Sequence, residues 1–178
     1  RTIPGTHPTK GFFFTRGTSR DEYAAYTEDG RVYARNMDRL LKKWDTAKDM
    51  VPAPYLYQKE NKSPYGLIFF GTSTYSAEEA MDTMAASGIN FDAMRLRAFP
   101  FNQTVEDFIH THEKVFVIEQ NRDGQMRSLL INELNVNPHK MIPVLNYDGM
   151  PITAHAIMTL INKNLSPALN GATSKILS

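Results

Sequence analysis

A cluster of polar residues follows the most hydrophobic stretch of this sequence. The segment KVFVIEQNRDGQM begins with an apolar run fit for a buried strand and changes character within two positions. The polar residues that follow are Glu119, Gln120, Asn121, Arg122 and Asp123. A carboxylate at the end of a buried strand needs partners or it destabilises the fold. These residue types therefore fit a ligand or interface site, or a structural network of ion pairs and hydrogen bonds, which we favour.

The structural interpretation makes two specific predictions. Arginines are available to pair with Glu119, and the candidates are Arg95, Arg97 and Arg122. Asp123 stands where it would cap the next helix, a contact worth about 1 kcal/mol. We therefore expect an arginine to form an ion pair with the carboxylate of Glu119, and Asp123 to cap the helix that follows.

The segment GTSTYS is a second candidate site, and it contains Gly71, Thr72 and Ser73. Its backbone N–H groups and hydroxyls could hold an anion at the start of a helix. The segment matches neither the dinucleotide-binding fingerprint nor the P-loop pattern. A tight turn with a helix cap is the commoner structure for such residues.

No catalytic residue and no metal site is predicted. His110 and His112 lie two positions apart on a predicted helix, so they point in different directions and make a weak metal pair. No third ligand stands at a recognisable spacing. The sequence also contains no Ser–His–Asp or Cys–His arrangement with a supporting context, and no nucleophile elbow.

The composition excludes several classes of protein. The 178 residues are 42% hydrophobic and 22% charged, which is typical of a soluble folded domain. A net charge of +1 predicts no general attraction to nucleic acid or to an anionic membrane, and no apolar run reaches membrane-spanning length. The absence of cysteine excludes disulfides and thiolate-ligated clusters within the chain, and fits a cytoplasmic protein. Because the chain starts with Arg1 in loop-like sequence, we expect a piece of a longer polypeptide.

Apolar strands and amphipathic helices alternate from Gly66 to about Leu165. This alternation predicts an α/β domain, with an open and mostly parallel sheet covered by helices on both faces. Strands are predicted at 67–70, 94–99, 115–118 and 142–147. Ser76 with Glu79 has capping-box spacing, Thr104 is a candidate cap, and Gly88 suits a helix exit.

The remaining segments flank this domain. The sequence predicts an arm rich in aromatic residues at 1–29, an amphipathic helix at 30–50, a connector at 51–65 and a flexible tail at 166–178. A mixed-charge cluster in the arm fits an interface or the rim of an active site, and its members are Arg16, Arg20, Asp21 and Glu22.

The order of the motifs resembles the C-terminal part of the α subunit of 2-oxoacid:ferredoxin oxidoreductases, most closely the 2-oxoglutarate type. The motifs are PTKGFFFTRGTSRDEYAAYTED, GTSTYSAEEAM, LRAFPF, VFVIEQNRDGQMRSLL and YDGMPIT. Glu119, Gln120, Asn121, Gly124 and Gln125 match the family's EQN…GQ element. The family's PFP element is matched only in part, by residues 99–101, and Ser19 and Arg20 stand where many relatives have Glu-His.

The resemblance implies an activity for the complete enzyme. Such enzymes oxidatively decarboxylate a 2-oxoacid with coenzyme A, giving an acyl-CoA, carbon dioxide and reduced ferredoxin. Thiamine diphosphate, magnesium and iron–sulfur clusters are implied for the complete complex and none for this chain alone, which we expect to be inactive. The implied partners are the β subunit, a second αβ unit, ferredoxin and coenzyme A, with no nucleic acid and no membrane.

The resemblance further implies that residues 66–165 form a domain like the C-terminal domain of transketolases. It also implies that residues 1–29 are an arm from the end of an upstream thiamine domain. We accordingly expect the motif residues to fix this domain against a neighbour rather than transfer protons. The candidates are Gly71, Thr72, Ser73, Arg97, Glu119, Gln120, Asn121 and Arg122. The alternatives are a free-standing module that binds an anion at the Gly71 loop, or a flavodoxin-like electron carrier.

Overall fold

The chain comprises two structural units. The computed structural model describes residues 3, 5–11, 19–57 and 62–173, with side chains in these ranges as far as residue 165. The first unit is Arg1–Ala47 and the second is Lys48–Ser178. No helix in the described ranges is both long and apolar enough to cross a membrane.

Helix α1 (Gly30–Met50) begins in the first unit, which contains all of it up to Ala47. Asp29 begins it, because its Oδ1 accepts a hydrogen bond of 2.8 Å from the backbone N–H of Arg31. The apolar side chains recur at helical spacing, yet none of the 21 helix residues is buried. The exposed apolar side chains are Tyr33, Met37, Leu40, Leu41 and Trp44.

The second unit is built on a sheet of five strands. The strands are β1 (Tyr55–Tyr57), β2 (Tyr65–Phe70), β3 (Asp92–Leu96), β4 (Lys114–Glu119) and β5 (Met141–Leu145). Their order is β1-β3-β2-β4-β5, and every neighbouring pair is parallel except β1 with β3. Pro143 lies in the edge strand β5, where the strand prediction placed it.

Helices cover both faces of the sheet. They are α2 (Thr74–Ala86), α3 (Gln103–Thr111), α4 (Gln125–Leu134) and α5 (Ala154–Thr173), and α5 continues past the predicted domain end at residue 165. On one face α2 and α5 pack on Leu67, Phe69 and Phe116, and on the other α3 and α4 pack on Ile68, Val115 and Val117. The predicted mostly parallel α/β fold with helices on both faces is confirmed.

Strand β1 was missed because it lies within the predicted connector at residues 51–65. Pro52 and Pro54 interrupt the sequence, but the following Tyr55, Leu56 and Tyr57 pair with Arg95, Met94 and Ala93. The alternation of apolar residues with arginines at 94–97 is typical of a half-exposed strand end, and the burial follows it: Met94 and Leu96 are buried, whereas Arg95 is partly exposed and Arg97 is exposed. The first residues of β3, Asp92 and Ala93, are both buried.

The helix ends correct several local predictions. α2 begins at Thr74 rather than at Ser76, whose Oγ instead donates to the carbonyl of Ile152 at 2.7 Å. α3 begins at Gln103, and no side chain caps it, so the Thr104 cap is also wrong. Gly88 does end α2, with a φ of +84° and with Ile89 N–H bonded to Met84 O at 3.0 Å.

Candidate functional site

The carboxyl ends of β2 and β4 lie side by side at the centre of the sheet. The chain leaves β2 through α2 toward β3, and it leaves β4 through α4 toward β5, on the opposite side. Open α/β sheets bind ligands in the crevice between two such diverging strands. The loops at this position are 71–73 and 120–124, which contain most of the predicted site residues.

Glu119 is buried at this edge, with 1% of its surface exposed. Its carboxylate accepts hydrogen bonds from the backbone N–H of Met126 at 2.7 Å and of Arg127 at 2.9 Å, and from Asn121 Nδ2 at 2.8 Å. The strand residue therefore satisfies two free amides in the first turn of α4 and complements the helix dipole.

The arginine partners predicted for Glu119 are wrong. Within the described ranges the Glu119 carboxylate forms no salt bridge, and Arg122 instead pairs with Asp123 at 2.7 Å in solvent. Asp123 does not cap α4 either, because Gly124 occupies the N-cap position and no side-chain cap bond is made there. The backbone N–H groups of Met126 and Arg127 supply the Glu119 carboxylate with the hydrogen-bond donors that were expected from an arginine.

Asn121 holds the loop between β4 and α4. Its Oδ1 accepts from the backbone N–H of Asp123 at 3.1 Å, Gly124 at 2.8 Å and Gln125 at 3.3 Å. Its Nδ2 donates to Glu119, so a single amide links the buried carboxylate to the loop backbone. Asn121 therefore serves the loop rather than facing a ligand.

Gln120 connects three segments across the crevice. Its Nε2 donates to Thr72 Oγ1 at 3.0 Å, and its Oε1 accepts from the backbone N–H of Ile152 at 3.0 Å. The first contact reaches the loop after β2, and the second reaches the segment before α5. Both ends of the Gln120 amide are thus used within the second unit.

The Gly71 loop has few free hydroxyls for an anion. It forms a 3₁₀ turn over Gly71–Ser73, with a φ of +60° at Gly71. Ser73 Oγ donates to Phe70 O and Thr74 Oγ1 donates to Gly71 O, both at 2.7 Å. These short side chains stabilise the turn itself, which agrees with the predicted tight turn, but no side chain caps the helix that follows.

Arg97 does not join these residues. Its Nη1 donates to the backbone carbonyl of Ala53 at 3.3 Å, and its guanidinium lies 4.6 Å from the ring centre of Tyr55. The structure therefore brings together residues 71–73 and 119–121, while Arg97 lies against β1 and the segment before it.

The candidate arm residues make local contacts in the first unit. Arg20 Nη1 donates to Ala24 O at 3.3 Å, and Asp21 Oδ1 accepts from the backbone N–H of Tyr23 and Ala25, each at 2.9 Å. Glu22 forms an exposed ion pair of 3.7 Å with Arg35 of α1. Arg16 lies outside the described residues.

The first amides of α4 at the carboxyl edge are already used, so they do not fit a diphosphate. The Glu119 carboxylate fills the N-terminus of α4, where a phosphate would need free amides. The described residues contain no group of three His, Cys, Asp or Glu side chains placed to hold a metal ion. The whole sequence contains no cysteine to ligate a cluster.

A buried polar pair at the opposite edge of the sheet was missed. His112, which the sequence indicated only as half of a weak metal pair, is 4% exposed, and its Nε2 lies 3.3 Å from Oδ2 of the buried Asp92. His112 Nδ1 lies 2.6 Å from the carbonyl of Phe108. The sequence signal was weak, because Asp92 and His112 are 20 residues apart and each resembles an ordinary loop residue.

The comparisons with known proteins agree with the fold. No protein-family model matches the sequence. The chain is 24% identical over 153 residues to subunit alpha of 2-oxoacid:ferredoxin oxidoreductase 2 from Aeropyrum pernix, covering 84% of this chain and 24% of that protein. The chain is therefore related in sequence to an α subunit of this kind, but it spans only about a quarter of that relative.

Several solved structures resemble the chain, and two of them indicate its fold. One is the 2-oxoglutarate:ferredoxin oxidoreductase from Magnetococcus marinus with 2-oxoglutarate, coenzyme A and succinyl-CoA bound (TM-score 0.72, 23% identity), covering 90% of this chain and 27% of that one. The other is a split-gene transketolase, an inactive β4 tetramer (TM-score 0.50, 16% identity), with coverages of 64% and 41%. The fold is therefore transketolase-like.

Proposed function

We propose that this chain is part of the α subunit of a 2-oxoacid:ferredoxin oxidoreductase and serves its assembly rather than its chemistry. The complete enzyme, which we place in the cytoplasm, decarboxylates a 2-oxoacid, 2-oxoglutarate in this proposal, with coenzyme A and passes electrons to ferredoxin. Residues for thiamine diphosphate, magnesium and iron–sulfur clusters belong to other parts of that complex, including the β subunit. The sequence relationship to such an α subunit supports this proposal.

The observation that carries the assembly role is the apolar stripe of helix α1. Five large apolar side chains lie along the helix, and none of its residues is buried. Exposing such a stripe to water is unfavourable, and contiguous exposed apolar surface commonly marks an interaction site. Because the curated relative is about four times as long as the matched segment, we assign the stripe to packing against the rest of the enzyme.

The carboxyl edge of the sheet supports the same role. Glu119, Gln120 and Asn121 are engaged with their own domain, so they make this edge rigid. Large side chains are nevertheless exposed there, namely Tyr75, Phe99, Tyr147 and Met150. A rigid edge with exposed aromatic groups suits contact with a neighbouring domain or subunit.

Purification of the chain from the organism that encodes it tests the proposal. A tag on the native protein is expected to retain a complex that reduces ferredoxin only when a 2-oxoacid and coenzyme A are both present. The isolated chain is expected to be inactive in the same assay. A tagged protein that purifies as a lone monomer, without this activity in the eluate, would contradict the proposal.

A thermal-shift assay separates this function from that of a free-standing anion-binding module. An assembly element should show no stabilisation by coenzyme A, thiamine diphosphate or inorganic phosphate. A module that binds one of them should gain about 2.7 kcal/mol at a hundredfold excess over the dissociation constant. Such a gain in the isolated chain would favour the binding module.

A further inference from the structure

Four consecutive apolar residues are exposed at the tip of a short hairpin in the first unit. They are Tyr23, Ala24, Ala25 and Tyr26, and Tyr23 is 86% exposed. A run of three or four exposed apolar residues is unfavourable in water unless it serves a function. The tip is therefore a candidate contact surface, distinct from the apolar stripe of helix α1.

The backbone of this hairpin is tied together across the tip. The N–H of Asp21 donates to Ala25 O at 2.9 Å, and the N–H of Ala24 donates to Asp21 O at 3.0 Å. The Asp21 carboxylate also accepts from the backbone N–H of Tyr23 and Ala25, so it fixes the same turn from within. The shape of the tip is thus set before a partner binds, which lowers the entropy cost of binding.

Ala24 gives the turn a strained backbone. Its φ is +69°, in the left-handed region where a Cβ is unfavourable and glycine is the usual residue. Strain of this kind at a non-glycine residue is concentrated at binding and catalytic sites. The turn leads from Tyr23 into two alanines, whose small side chains leave room for a partner surface beside the tyrosine ring.

The two tyrosines of the tip differ in what their hydroxyl groups contact. Tyr26 is 48% exposed, and its hydroxyl donates to Glu28. The hydroxyl of Tyr23 forms no hydrogen bond with any residue that the structure describes. Tyr23 therefore offers a partner both an exposed ring and an unused hydrogen-bond donor.

The hairpin itself uses the described charged residues that were predicted as contacts in this arm. Arg20 and Asp21 bond to the backbone of the tip, and Glu22 pairs with Arg35 of α1. Asn36 of α1 also donates to the carbonyl of Arg20. These contacts hold the hairpin on α1, and they leave the apolar tip as the part that faces solvent.

We propose that Tyr23 is an anchor that binds in an apolar pocket on the rest of the enzyme, outside these 178 residues. The pocket encloses the ring, Ala24 and Ala25 lie at its rim, and an acceptor in the pocket receives the phenol hydrogen bond. Tyrosine gives a large contact area at low entropy cost and is frequent among the residues that dominate binding energy.

The length of the curated relative determines the choice of partner. That protein is about four times as long as the matched segment, so we place the pocket on the rest of the enzyme rather than on a second copy of this segment. The inference rests on the proposed function and deepens it, because it names a residue that makes the contact.

Photo-cross-linking of the tagged native protein tests the contact. The photoreactive residue p-benzoyl-phenylalanine replaces Tyr23, the purified complex is irradiated, and the products are mapped by mass spectrometry. A cross-link from position 23 to polypeptide outside residues 1–178 is expected. An active complex without such a cross-link overturns the proposal, as does a cross-link to a second copy of residues 1–178. If no complex purifies from the wild-type strain, the proposed function fails and this inference fails with it.

Two substitutions at Tyr23 separate the ring from the hydroxyl. Tyr23→Ala is expected to lower the yield of active complex severalfold, because the ring is lost. Tyr23→Phe keeps the ring and should retain most of that yield. Asp38→Ala changes an exposed residue of the same unit, outside the hairpin and the apolar stripe, and should assemble like wild type.

Urea denaturation of the isolated chain shows whether these variants fold. All three are expected to match wild type, because the substituted side chains are exposed. A wild-type yield of active complex with Tyr23→Ala would refute the anchor. It would leave the assembly role intact, since that role is tested separately on the α1 stripe.

Discussion

Glu119 caps helix α4 from the strand that precedes it. The usual N-cap position is occupied by Gly124, which has a φ of +60° and no side chain to accept a hydrogen bond. The free amides of the first turn therefore need an acceptor from elsewhere, and Glu119 provides both carboxylate oxygens. A residue that could be taken for a catalytic carboxylate thus has a structural role.

Replacing this carboxylate is expected to destabilise the second unit. Glu119→Gln preserves the shape but leaves one acceptor oxygen and turns an N–H₂ group toward backbone donors. We expect the free energy of unfolding of the isolated chain to fall by about 2 kcal/mol, measured by urea denaturation.

Glu133→Gln is the matched control, because Glu133 is an exposed carboxylate near the other end of α4. It is expected to change stability by less than about 0.5 kcal/mol. A Glu119→Gln chain that is as stable as the control, but whose complex is inactive after normal assembly, would indicate a catalytic role for Glu119.

Tyr57 gives a prediction about alkaline pH. Burial raises the pKa of Tyr57 above its ordinary value of 10.0, and the hydrogen bond of 2.8 Å to Glu78 adds to the increase. The folded state thus retains the phenol proton more strongly than the unfolded state. The resulting stability is present in full below pH 10.0 and is lost as the pH rises through the folded-state pKa.

Tyr57→Phe removes this ionisable group and keeps the ring that packs on Phe69. Urea denaturation across alkaline pH is expected to show a smaller loss of stability above pH 10 in the variant than in wild type. Tyr147→Phe, which changes an exposed tyrosine, is the control and should retain the wild-type pH dependence. An identical pH profile for Tyr57→Phe would contradict the assigned pKa increase.

At the scale of elements, short continuous apolar runs predicted the central strands β2 and β4, and helical periodicity predicted the helices of the second unit. Periodicity did not predict what begins each helix. Capping preferences favoured Ser76, Thr104 and Asp123, whereas tertiary contacts such as that of Glu119 determine the observed helix starts. β1 was missed because a strand of three residues is too short to show a periodic pattern in the sequence. Its antiparallel pairing with the distant β3 also leaves no local signal.

Some residues of the candidate site could be predicted from the sequence, because the order of strands and helices determines where their loops lie. Loops after neighbouring parallel strands meet at one edge, so residues 71–73 and 119–121 could be placed together from the strand order. The Asp92–His112 pair could not, because it depends on how α3 packs beside β3. Pairwise side-chain geometry of this kind leaves no periodic signal in the sequence.

Gly88, which ends helix α2, gives a prediction about the stability of that helix end. Gly88 has a φ of +84°, and a Cβ added there would meet no atom within 4 Å. The cost of Gly88→Ala is therefore conformational rather than steric, and we expect a loss of about 1 kcal/mol in urea denaturation. Gly88→Asn adds a Cβ as well but tolerates the left-handed region better, so it should lose less. Equal losses would show that backbone conformation is not the cause.

At the scale of the whole molecule, the chain has two kinds of surface with different expected roles. The carboxyl edge of the second unit is held by its own hydrogen bonds, while the stripe on α1 consists of large apolar side chains that are exposed. A substitution that affects assembly without affecting the folding of the isolated chain should therefore lie on α1. This separation makes the assembly proposal testable without disturbing the sheet.

Leu40→Gln combined with Trp44→Gln is the test. Both side chains are exposed in the isolated chain, so its urea denaturation should change by less than about 1 kcal/mol. In the tagged native protein, the co-purifying ferredoxin-reducing activity that depends on a 2-oxoacid and coenzyme A should fall severalfold, because the apolar contacts that hold the complex are lost. Lys42→Gln combined with Lys43→Gln changes the exposed polar side of the same helix and should retain that activity. If the apolar variant keeps full activity and full assembly, the stripe does not pack against the enzyme and the assembly role fails.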